Sequence, residues 1–343
     1  MSGINLWLVG GGVMTGLVFG VLMQRFRFCM VAATANWVLI KDLRQVAAFV
    51  AALTVAIAGT QYLEISHWVD ISQTGYRNSV LDWWGVIFGG LLFGIGGTLA
   101  GGCATRTVVK FAEGNMQSLI AVFSFMVAAA ITQYGWLEPA RLKMTAATSI
   151  NLSTDAGIAS ILHVSPTLVA VIMVLGLLAF LVYAIRTQTI HWSWIVAGAV
   201  IGGLVIFSWI ITGDLAQDVF DPRKPSAITV SGPMARFGSI ILYQTIPEMS
   251  FQIAFVLGMA VAAFMSALAT REFKLTPVPK GMARYAVLGG ALMGIGGIVG
   301  YGCNVGQGLS GTSTLSLESL LATISMFTGA AITVKWWDRR TNT

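Results

Sequence analysis

The sequence predicts an all-α polytopic membrane protein of about nine transmembrane helices, arranged as a 4+1+4 inverted repeat with Gly-rich re-entrant loops meeting near the midplane. Three observations carry that expectation. Of the 343 residues, 56% are hydrophobic and only 10% charged, against roughly 25% charged in a soluble domain. Apolar runs repeatedly reach the ~20 residues that cross a bilayer as a helix. And one unit occurs twice: Gly89 to Cys103 (GGLLFGIGGTLAGGC) and Gly289 to Cys303 (GGALMGIGGIVGYGC) match at 9 of 15 positions, cysteine included. A fixed internal repeat constrains the fold before anything else does.

The spans are expected at 4–23, 44–63, 83–101, 117–136, 166–187, 192–212, 249–270, 284–301 and 315–335. The first, Leu6 to Met23, has its arginines Arg25 and Arg27 after the apolar run, so it reads as a span and not a cleaved signal. Spans three and eight hold the duplicated glycine unit. Spans four and nine repeat as well: Ser118 to Thr132 matches Ser319 to Thr333 at 8 of 15 positions. A weaker echo joins spans one and six through Trp7 and Trp194, Gly11 and Gly198, and the runs Gly16-Leu17-Val18 and Gly203-Leu204-Val205. Spans two, five and seven rest on apolar length. Copies five spans apart lie in opposite orientation, which divides the chain into residues 1–136 (first repeat), 137–191 (outer loop and linking span) and 192–343 (second repeat with a short cytoplasmic tail).

Of the interruptions, Trp136 to Ser165 and Gly213 to Glu248 read as water-facing loops, the latter holding four of the eight prolines. Gln24 to Leu43, Gly101 to Met116 and Gly300 to Thr314 are short and Gly-rich or apolar. Lys and Arg number 14 in one set of alternate loops and 6 in the other. The basic side faces the cytoplasm, which puts the N-terminus outside and the C-terminus inside. The net charge of +6 follows from that bias, and nucleic acid is not an expected partner. No Gly-Lys-Ser/Thr phosphate loop is present, so the chain carries no nucleotide motor.

Non-helical backbone at membrane depth survives only where protein buries it or it lines a cavity. The runs around Gly102-Cys103 and Gly302-Cys303 therefore point to the site, entering from opposite sides. The segments after them turn free N–H groups and positive helix ends toward the centre, which suits an anion. Cys29 ends the motif QRFRFC, within reach of Arg25 and Arg27. Thiols are soft, weak S–H donors, fitted to a substrate with an exposed sulfur atom. Arg106 would bring a charge to the path, and Asn304 and Gln307 uncharged donors. The candidate path is thus Cys29, Cys103, Cys303, Arg106, Arg27, Gly102, Gly302, Asn304 and Gln307, with no catalytic residue, metal or cofactor expected. Glu113 reads as a pairing residue, and His67, His163 and His191 as span-edge residues. A soft-metal transporter using three thiolates and a membrane sulfurtransferase are the alternatives from other classes.

Three stretches, GLVFGVLMQRFRFC (Gly16 to Cys29), GGLLFGIGGTLAGGCAT with the later AEG at Ala112 to Gly114, and GGALMGIGGIVGYGCNVGQGLSG (Gly289 to Gly311), resemble the YeeE/YedE sulfur-transport family over essentially the whole chain. That resemblance implies uptake of thiosulfate across the bacterial inner membrane, with related sulfur or selenium oxyanions as alternatives. It implies an hourglass path lined by Cys29, Cys103 and Cys303, S–H contacts with the moving anion, and a cytoplasmic sulfur-carrier partner of the TusA type. The chain departs from the family pattern where Phe26 and Arg106 replace glycine and Tyr301 replaces a small residue.

Overall fold

The computed structural model describes residues 3–152, 154–217, 223–245 and 248–341. Among them, nine helices are long and apolar enough to cross a membrane, and they fall where hydropathy puts them. In chain order the helices are α1 (Gly3–Phe26), α2 (Met30–Ile40), α3 (Arg44–Ile65), α4 (Trp83–Ala100), α5 (Ala104–Ala112), α6 (Met116–Tyr134), α7 (Glu138–Thr148), α8 (Ile158–Leu162), α9 (Pro166–Thr187), α10 (Trp192–Ile210), α11 (Ser231–Tyr243), α12 (Phe251–Ala269), α13 (Met282–Val299) and α14 (Leu317–Thr341). The short helices α2 and α5 occupy two of the interruptions, and a π-helical turn, Gly306–Gly311, occupies the third.

One interruption departs from its sequence reading. The segment from Gly213 to Glu248, expected as a water-facing loop, contains α11, which buries Pro233, Met234, Ala235, Gly238 and Ser239 against the bundle. The reason is packing. Gly238 lies against the carbonyl of Met126 and the methyl of Ala130 on α6, so α11 docks backbone to backbone.

In lipid, helices associate through van der Waals contact and close backbone approach, since tails are as apolar as side chains. Glycine stripes set each pairing here. Gly12, Gly16 and Gly20 of α1 run alongside Phe251, Phe255 and Met259 of α12, with both helices pointing the same way. Gly198 and Gly202 of α10 run likewise along Ala48 and Ala52 of α3. Gly290 and Gly294 set α13 beside Ala121 and Phe125 of α6, while Gly90 and Gly94 set α4 beside Ala322 and Met326 of α14. At the centre α4 and α13 cross antiparallel: Gly96 meets Gly289, and Gly89 meets Gly296. α9 packs on α3 but leaves Val171, Ile172, Leu175 and Tyr183 exposed, as a helix bordered by lipid does.

Alternation of the spans gathers the connecting segments on two faces. On the first face, β1 (Val80–Leu81) pairs antiparallel with β2 (Ile150–Asn151). Buried Arg77 joins Glu64 and Asp155 there, and Gly157 bridges to Ser316. On the second face Asn115 bridges to Thr276, and Gln188 bonds the backbone of Lys41 and Leu43.

Candidate functional site

Helix α1 stops at Phe26. Arg27 then takes a left-handed backbone (φ 50°), which swings the chain so that Cys29, extended at φ −157°, caps the start of α2. The second loop reaches a similar geometry by another route. At the end of α4, Gly101 takes φ 80°, and the N–H groups of Gly101 and Gly102 bond back to the Thr98 and Gly97 carbonyls. This is the left-handed helix stop that glycine permits without a Cβ clash. Cys103 follows, extended, at the start of α5. The two thiols meet there. Cys29 Sγ donates to Cys103 Sγ at 3.4 Å, and the Cys103 backbone N–H donates to Cys29 Sγ at 3.5 Å. Both cysteines are free, and both are buried. Gly102 is buried as well, and a Cβ there would press on the Arg106 side chain.

Cys303 enters from the opposite face. α13 ends at Val299, and Tyr301 takes the left-handed conformation (φ 57°) at the position where the first copy has Gly101. Cys303 is fully buried, and its Sγ accepts the Gly306 N–H at 3.4 Å. All three cysteines lie in one continuous buried core. Gln307 is a brace for this loop: its Nε2 donates to the Gly300 carbonyl at 3.2 Å, while its Oε1 accepts from Ser319 Oγ at 2.6 Å. Gly302 packs directly on the Gln307 side chain, with no room for a Cβ. The π-helical turn that follows is a form often found at functional sites.

Asn304 is 1% exposed, and its Oδ1 has no partner among the described residues. The same holds for Thr105 Oγ1, two residues after Cys103. A buried polar atom left unsatisfied costs about 1–3 kcal/mol, so each is a free hydrogen-bonding position beside a thiol. Thr105 went unremarked as a site residue in the sequence. Its only signal there is its place two residues after the Gly-Gly-Cys run.

The charged candidates are placed differently. Arg106 is buried, but its guanidinium donates to both Glu113 oxygens, at 2.9 and 3.2 Å, and to the Met23 carbonyl at 3.4 Å. What the second loop presents is therefore a compensated ion pair. Arg27 is exposed at the second face. Lys110 donates to the Gly101 carbonyl at 2.6 Å and so holds the glycine turn. The arrangement offers a substrate two touching thiols in the loops from one face, a third thiol in the loop from the other, and unpartnered neutral oxygens in the same loops. It is suited to weak, soft contacts.

Comparison with known proteins shows the family. The model of the family described as sulphur transport matches residues 25–332. The thiosulfate transporter TsuA of Escherichia coli is 26% identical over 94% of this chain and 92% of its own length. The thiosulfate transporter TsuA of Spirochaeta thermophila is 28% identical over 94% of this chain and 97% of its own. The probable transporter YedE of Escherichia coli is 26% identical over 46% of this chain and 37% of its own.

Proposed function

The chain belongs to the sulphur transport family, and from that premise we propose that it takes up thiosulfate across the bacterial inner membrane. It is a multi-pass membrane transporter and not an enzyme. In this reading the first face is external and the second cytoplasmic, with the N-terminus outside and the C-terminus inside. Residues 1–136 and 192–343 are inverted copies joined by 137–191. The antiparallel crossing of Gly96 with Gly289 supports that inversion, as does the exchange of partners between α1 with α12 and α10 with α3.

The observation that carries the proposal is the buried pair Cys29–Cys103 at 3.4 Å, in the same core as Cys303 from the opposing loop. Thiosulfate has a terminal sulfur that accepts S–H bonds and oxygens that accept from neutral donors. It would pass Cys303 first, then Cys103 and Cys29, with weak contacts that release it at each point. Thr105 and Asn304 are candidates to meet its oxygens. Arg106, held by Glu113, and Gln307, held by Gly300 and Ser319, serve the path by shaping its loops.

A dianion moving inward against 100 mV costs about 4.6 kcal/mol, twice the charge term. Rapid consumption inside would offset this, which gives a cytoplasmic TusA-like sulfur carrier a place at the second face. The test is growth of a transport-deficient host on thiosulfate, sulfate, sulfite or selenite as compared sources. Thiosulfate growth restored by the wild type, and abolished by Cys103→Ala or Cys303→Ala at normal membrane levels, is expected. Wild-type growth from either variant would remove the thiols from the mechanism.

A further inference from the structure

Glu318 stands in the first turn of α14 and is only 5% exposed. Among the described residues its carboxyl makes no ion pair and no hydrogen bond. The other acids set into the bundle are held. Glu64 and Asp155 pair with Arg77, and Glu113 pairs with Arg106. Asp82, also buried, lacks a cation, but four donor groups lie within bonding distance of its oxygens. They are the Gly85 N–H at 3.0 Å, Thr145 Oγ1 at 2.8 Å, Thr148 Oγ1 at 3.0 Å and the Tyr301 hydroxyl at 3.3 Å. The elements packed on α14 bring Glu318 no counter-charge. α2 and the π-helical turn carry no charged residue, and α4 contributes Asp82 at its start. The linking segment is tied on where Leu317 donates to the Ala156 carbonyl at 2.9 Å, and its Asp155 is already bound to Arg77 at 3.1 Å.

The charge that bears on Glu318 is therefore that of Asp82, and both acids bear on Tyr301, two residues before Cys303. Ser319, next in the chain, holds Gln307, the brace of the Cys303 loop. Two residues earlier, Ser316 Oγ is fully buried and has no partner among the described residues. The duplication sharpens the contrast, because aligning Ser118 with Ser319 sets Gln117 opposite Glu318. An amide of the same size fills the place in the first copy, and only the second copy has a group there that binds and releases a proton. We propose that Glu318 is a proton-binding residue of this transporter, and that the anion passes Tyr301 into the Cys303 loop only while Glu318 is protonated. Charged, Glu318 and Asp82 set two negative charges before an arriving anion, where low dielectric makes like charges repel strongly. The donors around Asp82 already occupy its oxygens, which leaves Glu318 to take the proton. One proton moves from water to a carboxylate oxygen, and no other bond changes. The gating role rests on the transport reading; the proton site does not.

Proton binding and uptake are read separately. Infrared difference spectra of the detergent-purified full chain are taken on acidification from roughly pH 9 to 5. The wild type is expected to gain a protonated-carboxyl band with one component that is missing from Glu318→Gln and returns in Glu318→Asp. In a transport-deficient host, the initial uptake of labelled thiosulfate by wild type falls about tenfold per pH unit above the midpoint of that component, as the protonated fraction does. Uptake by Glu318→Gln does not vary with pH. Glu318→Asp keeps the dependence with a displaced midpoint, which separates a lost proton from a lost fold. Replacing external sodium by choline changes none of these rates. Identical carboxyl bands in wild type and Glu318→Gln overturn the proposal. So does a Gln variant that keeps the wild-type pH profile, or one that reaches normal membrane levels yet takes up nothing at any pH, and so does sodium-dependent uptake. Wild-type protein that shows the band but takes up no thiosulfate at any pH leaves the proton site standing and refutes the substrate assignment instead.

Discussion

Arg106, in the first turn of α5, and Glu113, the residue that caps its end, face each other along the helix as a two-bonded pair, Nη1 to Oε1 at 2.9 Å and Nη2 to Oε2 at 3.2 Å. Removing one member leaves a buried charge without compensation. Glu113→Ala is expected to destabilise the protein by about 3–5 kcal/mol, read as a drop in melting temperature in detergent. The double replacement Arg106→Met with Glu113→Met should recover most of that loss. If the double variant melts no higher than the single one, the pair is not the source of the cost.

The thiols of Cys29 and Cys103 are close enough to be coupled by a two-electron oxidant, each losing its hydrogen as the S–S bond forms. Diamide treatment of the intact protein should lower its mass by two hydrogens and stop uptake, with both reversed by dithiothreitol. The Cys29→Ser protein should show no mass loss. Loss of two hydrogens from Cys29→Ser would mean that Cys103 has a different neighbour.

At the antiparallel crossing, a Cβ on Gly96 would lie 2.6 Å from both the Gly289 carbonyl oxygen and the Met293 nitrogen. Those are backbone atoms and cannot swing aside. Gly96→Ala should therefore cost about 1–3 kcal/mol, whereas Gly203→Ala, with open space at its Cβ, should melt within experimental error of wild type.

Tyr301 holds a left-handed backbone that costs an L-residue roughly 1–2 kcal/mol. Its hydroxyl meets Asp82 at 3.3 Å and Thr145 at 3.4 Å in partial return. Alanine here keeps the strain and loses the bonds; glycine loses the bonds but also the strain. Tyr301→Gly is expected to melt above Tyr301→Ala, and the reverse order would show that the conformation is not strained.

How much of this was readable in the chain depends on how far each signal extends along it. The nine spans were legible because hydropathy is summed over about 20 residues, and the glycine-cysteine loops because the unit recurs. Helix α11 was not: 13 residues that include Pro233 and Arg236 fall below spanning length, and only docking of Gly238 on α6 explains their burial. Glu113 is legible as a pairing residue, but the sequence places Arg106 on the path, and only the fold shows that the two bond each other in a bidentate pair. Tyr301 looked like mere bulk, though its backbone angle reproduces what Gly101 does in the first copy. Asp82 and Glu318 lie on different elements, and only folding brings both to Tyr301.

The bridges between distant segments limit how the molecule can move. On the second face, Lys274 and Thr276 donate to the Glu113 and Gly114 carbonyls, and Met116 donates back to Thr276, each at 3.1 Å. On the first face, Ile158 donates to Leu315 at 3.0 Å and Leu317 to Ala156 at 2.9 Å. Swinging residues 1–136 against 192–343 would break the second-face seam, and the first-face seam ties the linking segment to the second of these. Rotation of single side chains such as Tyr301 disturbs neither. In the transport reading proposed above, a molecule fastened at both ends lets its cargo by through small side-chain movements, with the surrounding wall left in place.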